Sequence, residues 1–193
     1  MAYRSYQGFR LTPIWVIIGV NFLLFIATVI NRGLIFLFGL QPASFLGQPW
    51  TIVTSMFIHA GFGHVMVNML TLYFFGTFLS RLIGDRKFLL VYFGGGILGS
   101  ILFILLAPPF SIAVGASGAI FALGGALAVM RPKLRVLVFF LIPAPLWLAV
   151  IGGFIILTLL APSLHIAWQA HLGGLIFGLI AGYFFRKRER YFF

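Results

Sequence analysis

The residue with the clearest chemical potential in this chain is a serine between glycines. Ser117 lies in the run Gly115-Ala116-Ser117-Gly118, at the start of an apolar stretch. A serine hydroxyl is a poor nucleophile unless a neighbouring base takes its proton, and neutral histidine is the usual base near neutral pH. His171 lies near the start of another apolar stretch and could supply that base.

Two further polar residues could stabilise the negative charge that develops during acyl transfer. His64 and Asn68 lie four residues apart near the start of a third apolar stretch, so a helix would carry them on one face. The backbone N–H of Ser117 is also free of a helical partner if the helix begins there. We predict that these three groups form an oxyanion hole. His59 and His165 are interpreted as interfacial polar residues nearer the outer surface.

The supply of acidic residues limits the mechanism. Asp85 and Glu189 are the only acids, and both fall on the predicted cytoplasmic side. A Ser-His-Asp triad is therefore excluded without a partner in trans, which leaves a Ser-His dyad. The chain has no cysteine, no carboxylate within an apolar stretch and no His-Glu-x-x-His motif, so we predict neither a metal site nor a cofactor.

The composition indicates a membrane protein. Of 193 residues, 62% are hydrophobic and only 8% are charged, which excludes an ordinary soluble domain. The net charge of +11 could suggest a nucleic-acid partner, but the basic residues occur in short clusters between apolar runs, without interleaved aromatic residues. We predict no nucleic-acid binding. The length favours one membrane-embedded domain over 1–193, with its core at about 11–185.

The apolar runs predict an all-α bundle of six transmembrane helices. The fifth run contains Pro143 and Pro145 and should be kinked or broken there. The almost uncharged connection 33–63 is expected to lie partly in the membrane interface as a long first loop. The predicted helices are Leu11–Ile30, His64–Leu82, Phe88–Ala107, Ser117–Met130, Val136–Ala161 and Ala167–Phe185.

The basic residues predict the orientation of this bundle. Of the 13 Lys and Arg residues, only Arg32 would lie on one side. The positive-inside rule then predicts that the other side and both termini are cytoplasmic, with an even number of spans. The basic clusters are interpreted as topology anchors and contacts with lipid headgroups. A prokaryotic inner membrane is the expected location, with an organelle membrane as the alternative, and the active site is expected to open to the outer face.

A common depth connects the polar residues. At a rise of about 1.5 Å per residue, Ser117, His171 and Asn68 each lie roughly 20 Å from the cytoplasmic ends of their helices. In a hydrocarbon core of about 30 Å, they are expected roughly 10 Å below the outer surface, with His64 one turn higher. Composition alone does not require this agreement.

Small residues on two helices favour close packing. Glycines recur below Ser117 and below His171, and small side chains let two helix backbones approach closely in a membrane. If the fourth and sixth helices pack through these faces, the two side chains come within hydrogen-bond reach. The residues on these faces are Phe121, Gly124, Gly125 and Ala128 in the fourth helix, and Gly174, Gly178 and Gly182 in the sixth.

Three motifs, in order along the chain, resemble those of the rhomboid intramembrane serine proteases. The family's motifs are His-x4-His-x3-Asn at the second helix, Gly-x-Ser-Gly at the fourth, and Ala-His-x-x-Gly-x-x-x-Gly in the sixth. The resemblance covers approximately residues 13 to 185. The matching residues are His59, His64 and Asn68; Gly115, Ser117 and Gly118; and Ala170, His171, Gly174 and Gly178.

The resemblance implies a function. Ser117 would be the nucleophile and His171 the general base, with His64, Asn68 and the Ser117 amide as the oxyanion hole. The reaction would be hydrolysis of a peptide bond in or near a transmembrane segment of a substrate protein, without metal or cofactor. Such a substrate would enter laterally from the bilayer lipids and unwind locally, which favours small or helix-breaking residues near the cut.

Three positions depart from residues that are frequent in the family. Thr51 follows Trp50 where many members have arginine. This chain therefore lacks the side chain that would bind phosphate or anchor the loop at that position. Ser80 stands where glutamate is frequent, and a structural hydrogen-bond network is expected to be weaker. Phe121 replaces a frequent tyrosine, so it can stack on His171 but has no hydroxyl.

Two other classes of function remain open. An inactive rhomboid-like scaffold that binds membrane clients is disfavoured, because it has no chemical reason to retain both Ser117 and His171. A small membrane transporter that uses the four histidines is disfavoured, because no predicted span carries a carboxylate or cysteine ligand.

Overall fold

Six apolar helices account for most of the chain. The computed structural model describes residues 11–138, 141–160 and 166–189. Within these ranges, the first, second, third and sixth helices are long and apolar enough to cross a membrane, and the fourth and fifth are shorter. The helices are α1 (Pro13–Ile30), α2 (Phe62–Ile83), α3 (Asp85–Leu106), α4 (Ser117–Met130), α5 (Leu146–Leu159) and α6 (Trp168–Glu189).

Local sequence explains where several of these helices begin. Pro13 opens α1, where its missing N–H would have no helical partner in any case. Gly84 separates α2 from α3 with a φ of 82°, a conformation that glycine adopts without steric cost. The chain therefore reverses at one residue, and α3 starts directly after it. α2 also contains a π-helical turn at Leu72–Gly76.

The predicted fifth helix is wrong in the described residues before Leu146. An antiparallel hairpin of β1 (Arg135–Val138) and β2 (Ile142–Pro145) precedes α5, so the fold is predominantly helical and not all-α. Val136 and Val138 favour an extended backbone, and Pro143 cannot donate a helical hydrogen bond. The prolines thus break the run, as expected, but they do so within a strand. The predicted end at Ala161 lies outside the described residues.

The centre of the molecule is α4, which packs against both α3 and α6, while those two helices also pack directly on each other. Eleven of its 14 residues are buried. A Cβ on Gly174 would overlap the carbonyl of Gly118, and one on Gly178 would overlap that of Ala122. The two backbones are therefore in direct contact at four-residue steps, which confirms the predicted packing of these glycines.

Not every glycine of the predicted faces takes part in this contact. Gly182 continues the series, since its Cβ would lie 2.7 Å from the carbonyl oxygen of Ala126. Gly124 points elsewhere and faces Val150 of α5 and Phe75 of α2. The small residues of α4 therefore serve two interfaces, one with α6 and one with the α2 and α5 side.

The first connection, residues 33–63, is structured and braces the approach to α4. Its backbone pairs with the segment before Ser117 through a two-way bridge between Leu40 and Ala113, with N–H···O distances of 2.9 and 2.8 Å. The Ala43 N–H also donates to the Pro109 carbonyl. Its short helical turns are Leu34–Phe38, Pro42–Ser44, Thr51–Thr54 and Ser55–Phe57. Its position at a membrane interface stays a prediction.

Candidate active site

A glycine turn sets the position of Ser117 at the start of α4. Gly115 has a φ of 118°, a backbone conformation that strongly favours glycine. Its N–H donates to the carbonyl of Ser55 at 2.9 Å. A Cβ at Gly115 would lie only 2.7 Å from the ring of His64. The glycine is therefore required both by the backbone conformation and by the space that His64 occupies.

His171 lies opposite Ser117, in the first turn of α6. Its Nε2 is 2.7 Å from Ser117 Oγ, which is hydrogen-bond distance. The contact exists because Gly118 and Gly174 let the α4 and α6 backbones touch directly beneath it. A neutral ring that carries its proton on Nδ1 would accept the serine hydroxyl proton at Nε2.

The His171 ring is held by packing and not by a carboxylate. Its Nδ1 is buried and has no hydrogen-bond partner among the described residues. The Phe121 ring lies against it, with centroids 4.7 Å apart and an interplanar angle of 31°. Phe154 packs edge-on against Phe121 at 6.0 Å. The aromatic stack therefore orients the imidazole, as a carboxylate does in a catalytic triad.

His64 and Asn68 line the same cavity as Ser117 and His171. The Asn68 side-chain nitrogen donates to the carbonyl of His64 at 2.8 Å, so one of its two hydrogens is used within α2. The second amide hydrogen is left for another acceptor. The two residues are on one side of α2, as their spacing predicts, and the His64 ring rests above Gly115.

His59 is a buried neighbour of this group, so its interpretation as an interfacial polar residue is wrong. Its side chain is fully buried, and its ring packs on His64 with centroids 5.0 Å apart at 68°. Burial is the main cause that lowers the pKa of His59 to about 3, and the nearby His64 lowers it further. A contact with the backbone of Phe57 acts in the opposite direction, but it is too weak to count as a hydrogen bond. The five-residue spacing before His64 was the available signal. His165 lies outside the described residues.

A large cavity opens beside the serine and histidine. It has a volume of about 920 Å³ and is mostly apolar, with Ser117, His171, His64 and Asn68 among its few polar lining residues. Such an arrangement is typical of a site that binds an apolar ligand and orients it with few polar contacts. Its walls come from α2, α4 and α5, including Val67, Phe75, Ile120, Val150 and Leu157.

The three departures from the family pattern have different structural outcomes. Thr51 is buried, and its hydroxyl donates to the carbonyl of Gln48 at 2.6 Å, within the first connection. Ser80 donates a hydrogen bond to the carboxylate of Asp85. A carboxylate is thus present at this turn after all, supplied five residues later, which the sequence interpretation overlooked. Phe121 stacks on His171 as expected.

Within the described parts of the chain, no group of three or more His, Cys, Asp or Glu residues is arranged to hold a metal ion. Asp85, the acid whose side chain is described, lies at the opposite end of α3 from the segment that leads to Ser117. The chemistry available at Ser117 is therefore that of a hydroxyl, an imidazole and hydrogen-bond donors.

Comparison with known proteins identifies the family. A family model for the rhomboid domain matches residues 46–188. The chain is 32% identical over 190 residues to rhomboid protease GluP of Bacillus subtilis, which covers 91% of this chain and 35% of that protein. It is 32% identical over 149 residues to the mitochondrial rhomboid protein 1 of Saccharomyces cerevisiae, covering 71% and 42%.

A plant relative gives the same result. RHOMBOID-like protein 1 of Arabidopsis thaliana is 37% identical over 147 residues, or 75% of this chain and 36% of that protein. The chain thus spans less than half the length of these relatives. The family model nevertheless covers more than half of the chain, from the first connection to the end of α6. This chain is therefore a membrane protein of the rhomboid family.

Proposed function

We propose that this protein is an intramembrane serine protease that acts through a dyad of Ser117 and His171. The observation that carries the proposal is the 2.7 Å contact between Ser117 Oγ and His171 Nε2 in the lining of the apolar cavity. The names of the relatives give it partial support, since GluP is named a protease and the yeast protein is named only a rhomboid protein.

The proposed reaction proceeds through an acyl-enzyme. Ser117 Oγ attacks the substrate carbonyl carbon as its proton passes to His171 Nε2. The imidazolium then gives that proton to the leaving amine, and the C–N bond breaks. A water attacks the ester, with His171 again taking a proton and returning it to Ser117 Oγ. No metal or cofactor is needed for any of these steps.

The proposed oxyanion hole consists of His64, Asn68 and the backbone N–H of Ser117. Asn68 retains one amide hydrogen beyond its bond to the His64 carbonyl. The His64 ring and the start of α4 meet at Gly115, so their donors converge on the cavity from two elements. Donors aimed at the developing charge stabilise it without reorganising in the reaction. Gly115, Gly118, Phe121, Gly174 and Gly178 are the proposed supporting residues.

The proposed substrates are transmembrane segments of other proteins, which enter laterally from the surrounding lipids. Besides α4, the helices α2 and α5 supply the cavity walls, and only Leu146 and Val150 of α5 are buried. A weakly packed wall is suited to admitting a chain from the bilayer. The substrate helix must unwind to expose its peptide bond, so small or helix-breaking residues near the cut are favoured.

The proposed topology has six spans, with α4 and α5 crossing together with the four longer helices. We place the end that carries Arg81, Lys133 and Arg186 in the cytoplasm, with both termini on that side and the Ser117 end facing out. A prokaryotic inner membrane fits the resemblance to the Bacillus relative, whereas the yeast relative is mitochondrial. The chain is proposed to be one domain over 1–193.

Cleavage of a model transmembrane substrate by the full chain in liposomes tests this function. Ser117→Ala and His171→Ala should each lower the rate by at least about a thousandfold, because each removes a group that acts in bond making. Ser111→Ala, at a serine whose hydroxyl only donates to the Pro108 carbonyl, is the matched control and should cut normally. Failure of the wild-type chain to cut any substrate would favour the scaffold alternative.

A further inference from the structure

The β1–β2 hairpin carries an exposed apolar surface next to a concentration of cations. We propose that this hairpin is a docking surface for anionic lipid headgroups, which anchors the start of α5 at the membrane surface. The proposal concerns residues 131–138 and 141–147 and does not depend on proteolysis. It adds a lipid partner of defined charge and a defined contact site to the protein.

The hairpin presents one face to the protein and the other to its surroundings. The antiparallel register pairs Val136 with Ala144 on the inner face, where Val136 packs against the core. It pairs Leu137 with Pro143 on the outer face. Leu137 is 60% exposed, and at the tip Leu141 is 81% exposed. Apolar side chains at this exposure are suited to the boundary between headgroups and acyl chains.

Helix packing gathers the cations at this end of the molecule. α4 and α6 run parallel, since Gly118, Ala122 and Ala126 meet successive glycines of α6, so Met130 and Arg186 end at the same level. Lys87, at the start of α3, lies 5.4 Å above the Phe185 ring of α6. The cationic side chains described here are Arg81, Arg86, Lys87, Arg131, Lys133, Arg135 and Arg186, while Arg32 lies at the Ser117 end.

This charge selects anionic lipid as the occupant over an uncharged apolar partner. Lys133 and Arg135 are exposed at the base of the hairpin, beside its apolar face. The carboxylate of Asp85 at this end already accepts the Ser80 hydroxyl. Basic residues next to an inserted apolar surface bind anionic headgroups through their charge while the apolar side chains enter the interface.

Lipid bound at the hairpin would affect the cavity, because a backbone hydrogen bond joins the base of the hairpin to α5. The N–H of Leu146, the first residue of α5, donates to the carbonyl of Leu134 at 2.7 Å. α5 supplies Val150 and Leu157 to the cavity wall. Lipid bound at the hairpin therefore fixes the end of a helix that otherwise has few buried residues.

Site-directed quenching tests the proposal directly. The chain has no cysteine, so Leu141→Cys gives one labelling site for nitrobenzoxadiazole in the full chain. The labelled protein is placed in nanodiscs of phosphatidylcholine and phosphatidylglycerol, with a nitroxide on either lipid at equal mole fraction. We expect quenching by spin-labelled phosphatidylglycerol to exceed that by spin-labelled phosphatidylcholine about twofold or more.

Two controls assign the preference to the charge at this end. Lys133→Gln with Arg135→Gln should lower this preference markedly, because the two cations lie at the base of the hairpin, while the thermal midpoint of unfolding is unchanged, because both side chains are exposed. Leu46→Cys carries the same label at a residue 92% exposed, at the end that holds Arg32. It should show equal quenching in the unmodified background.

Two results would overturn the proposal. Equal quenching at position 141 by both lipids in the otherwise unmodified chain would mean that anionic headgroups are not selected. Blue-shifted emission without quenching by either lipid would mean that a protein surface, such as a second copy of this chain, covers the hairpin instead. Neither readout requires substrate cleavage, so failure here is distinguishable from failure of the proposed protease.

Discussion

At the scale of single residues, the main feature is a histidine that is positioned without an acid. His171 Nδ1 has no partner among the described residues, and the centroids of the Phe121 and His171 rings are 4.7 Å apart. An aromatic neighbour fixes the plane of an imidazole but cannot stabilise its charge as a carboxylate does. The rate of a dyad should therefore depend strongly on how well the stack holds the ring.

Phe121→Ala tests this dependence. We expect kcat for a model substrate to fall about tenfold, a change of about 1.4 kcal/mol, with a smaller effect on KM, because the ring of His171 loses its support. Phe121→Tyr retains the stack and should keep most of the activity. An Ala variant that cuts at the wild-type rate would show that the α6 backbone alone orients His171.

His59 should link the stability of the fold to pH. Its pKa is lowered from 6.5 to about 3 in the folded chain, chiefly by burial. As pH falls through 6.5 the unfolded chain takes up a proton that the folded chain refuses, so stability is lost progressively between pH 6.5 and 3. His59→Phe keeps a ring against His64 and removes this titration.

The measurement is the thermal midpoint of unfolding over that pH range. The midpoint of His59→Phe should fall less steeply with decreasing pH than that of the unmodified chain, whatever its value at neutral pH. The other histidines are present in both proteins, so the difference reports His59 together with its coupling to His64. Parallel pH profiles for the two proteins would contradict the assignment.

The site residues were more predictable from the sequence than their surroundings. The spacing of His64 and Asn68 was enough to predict a shared helix face. It could not reveal that the Asn68 amide donates to the His64 carbonyl, or that His59 is buried beneath His64. Those facts depend on side-chain rotamers and on how the first connection packs, which no periodicity encodes.

At the scale of elements, the contact between α4 and α6 decides whether the dyad forms. The two backbones touch because Gly174 and Gly178 have no side chains. Both helices are rigid, so separating them at Gly178 also moves His171 away from Ser117. Replacing either glycine with a slightly larger residue should therefore reduce the cleavage rate more than it reduces the stability of the fold.

Gly178→Ala is the corresponding test. Its Cβ would overlap the Ala122 carbonyl, and we expect a loss of about 1–3 kcal/mol in stability together with a large loss of cleavage. Gly152→Ala on α5 is the matched control, since nothing lies within 4 Å of its Cβ position. Equal behaviour of the two variants would show that the contact with α6 is not close enough to matter.

The turn between α2 and α3 gives a second test at this scale. Ser80 donates a hydrogen bond to the carboxylate of Asp85 across Gly84. Asp85→Ala should cost about 1 kcal/mol of stability and lower the thermal midpoint. Ser80→Ala should cost a similar amount, and the double variant Ser80→Ala with Asp85→Ala should cost less than the sum of the two, because the same hydrogen bond is lost only once.

Losses that simply add in the double variant would mean that the pair does not bridge the two helices. The thermal midpoint is measured for all three variants in the same detergent. Ser111→Ala, which affects only a local turn, controls for the loss of a serine hydroxyl.

The sequence predicted elements well where one signal dominated. The apolar run of α4 is bounded by Ser117 and by the basic cluster after Met130, and its predicted bounds agree with the structure. The prediction for the fifth apolar run failed because hydropathy does not distinguish a membrane helix from an apolar hairpin. Only the paired prolines indicated a break, and their position in a strand follows from tertiary pairing.

At the scale of the whole molecule, composition and the motifs were enough to identify a membrane protein and its family, both confirmed by the comparisons. The number of spans stays a prediction, because α4 and α5 are shorter than a bilayer requires for an upright helix. The large cavity beside α5 could not be foreseen, since it arises from the sparse packing of that helix.

The central claim is that Ser117 is a nucleophile activated by His171, and covalent labelling tests it most directly. A fluorophosphonate probe for serine hydrolases, applied to the full chain in detergent, should modify Ser117, as located by peptide mass spectrometry. Labelling should be absent in Ser117→Ala and strongly reduced in His171→Ala, although both remain folded. Absence of labelling in the unmodified chain, or undiminished labelling at Ser117 in His171→Ala, would contradict the account.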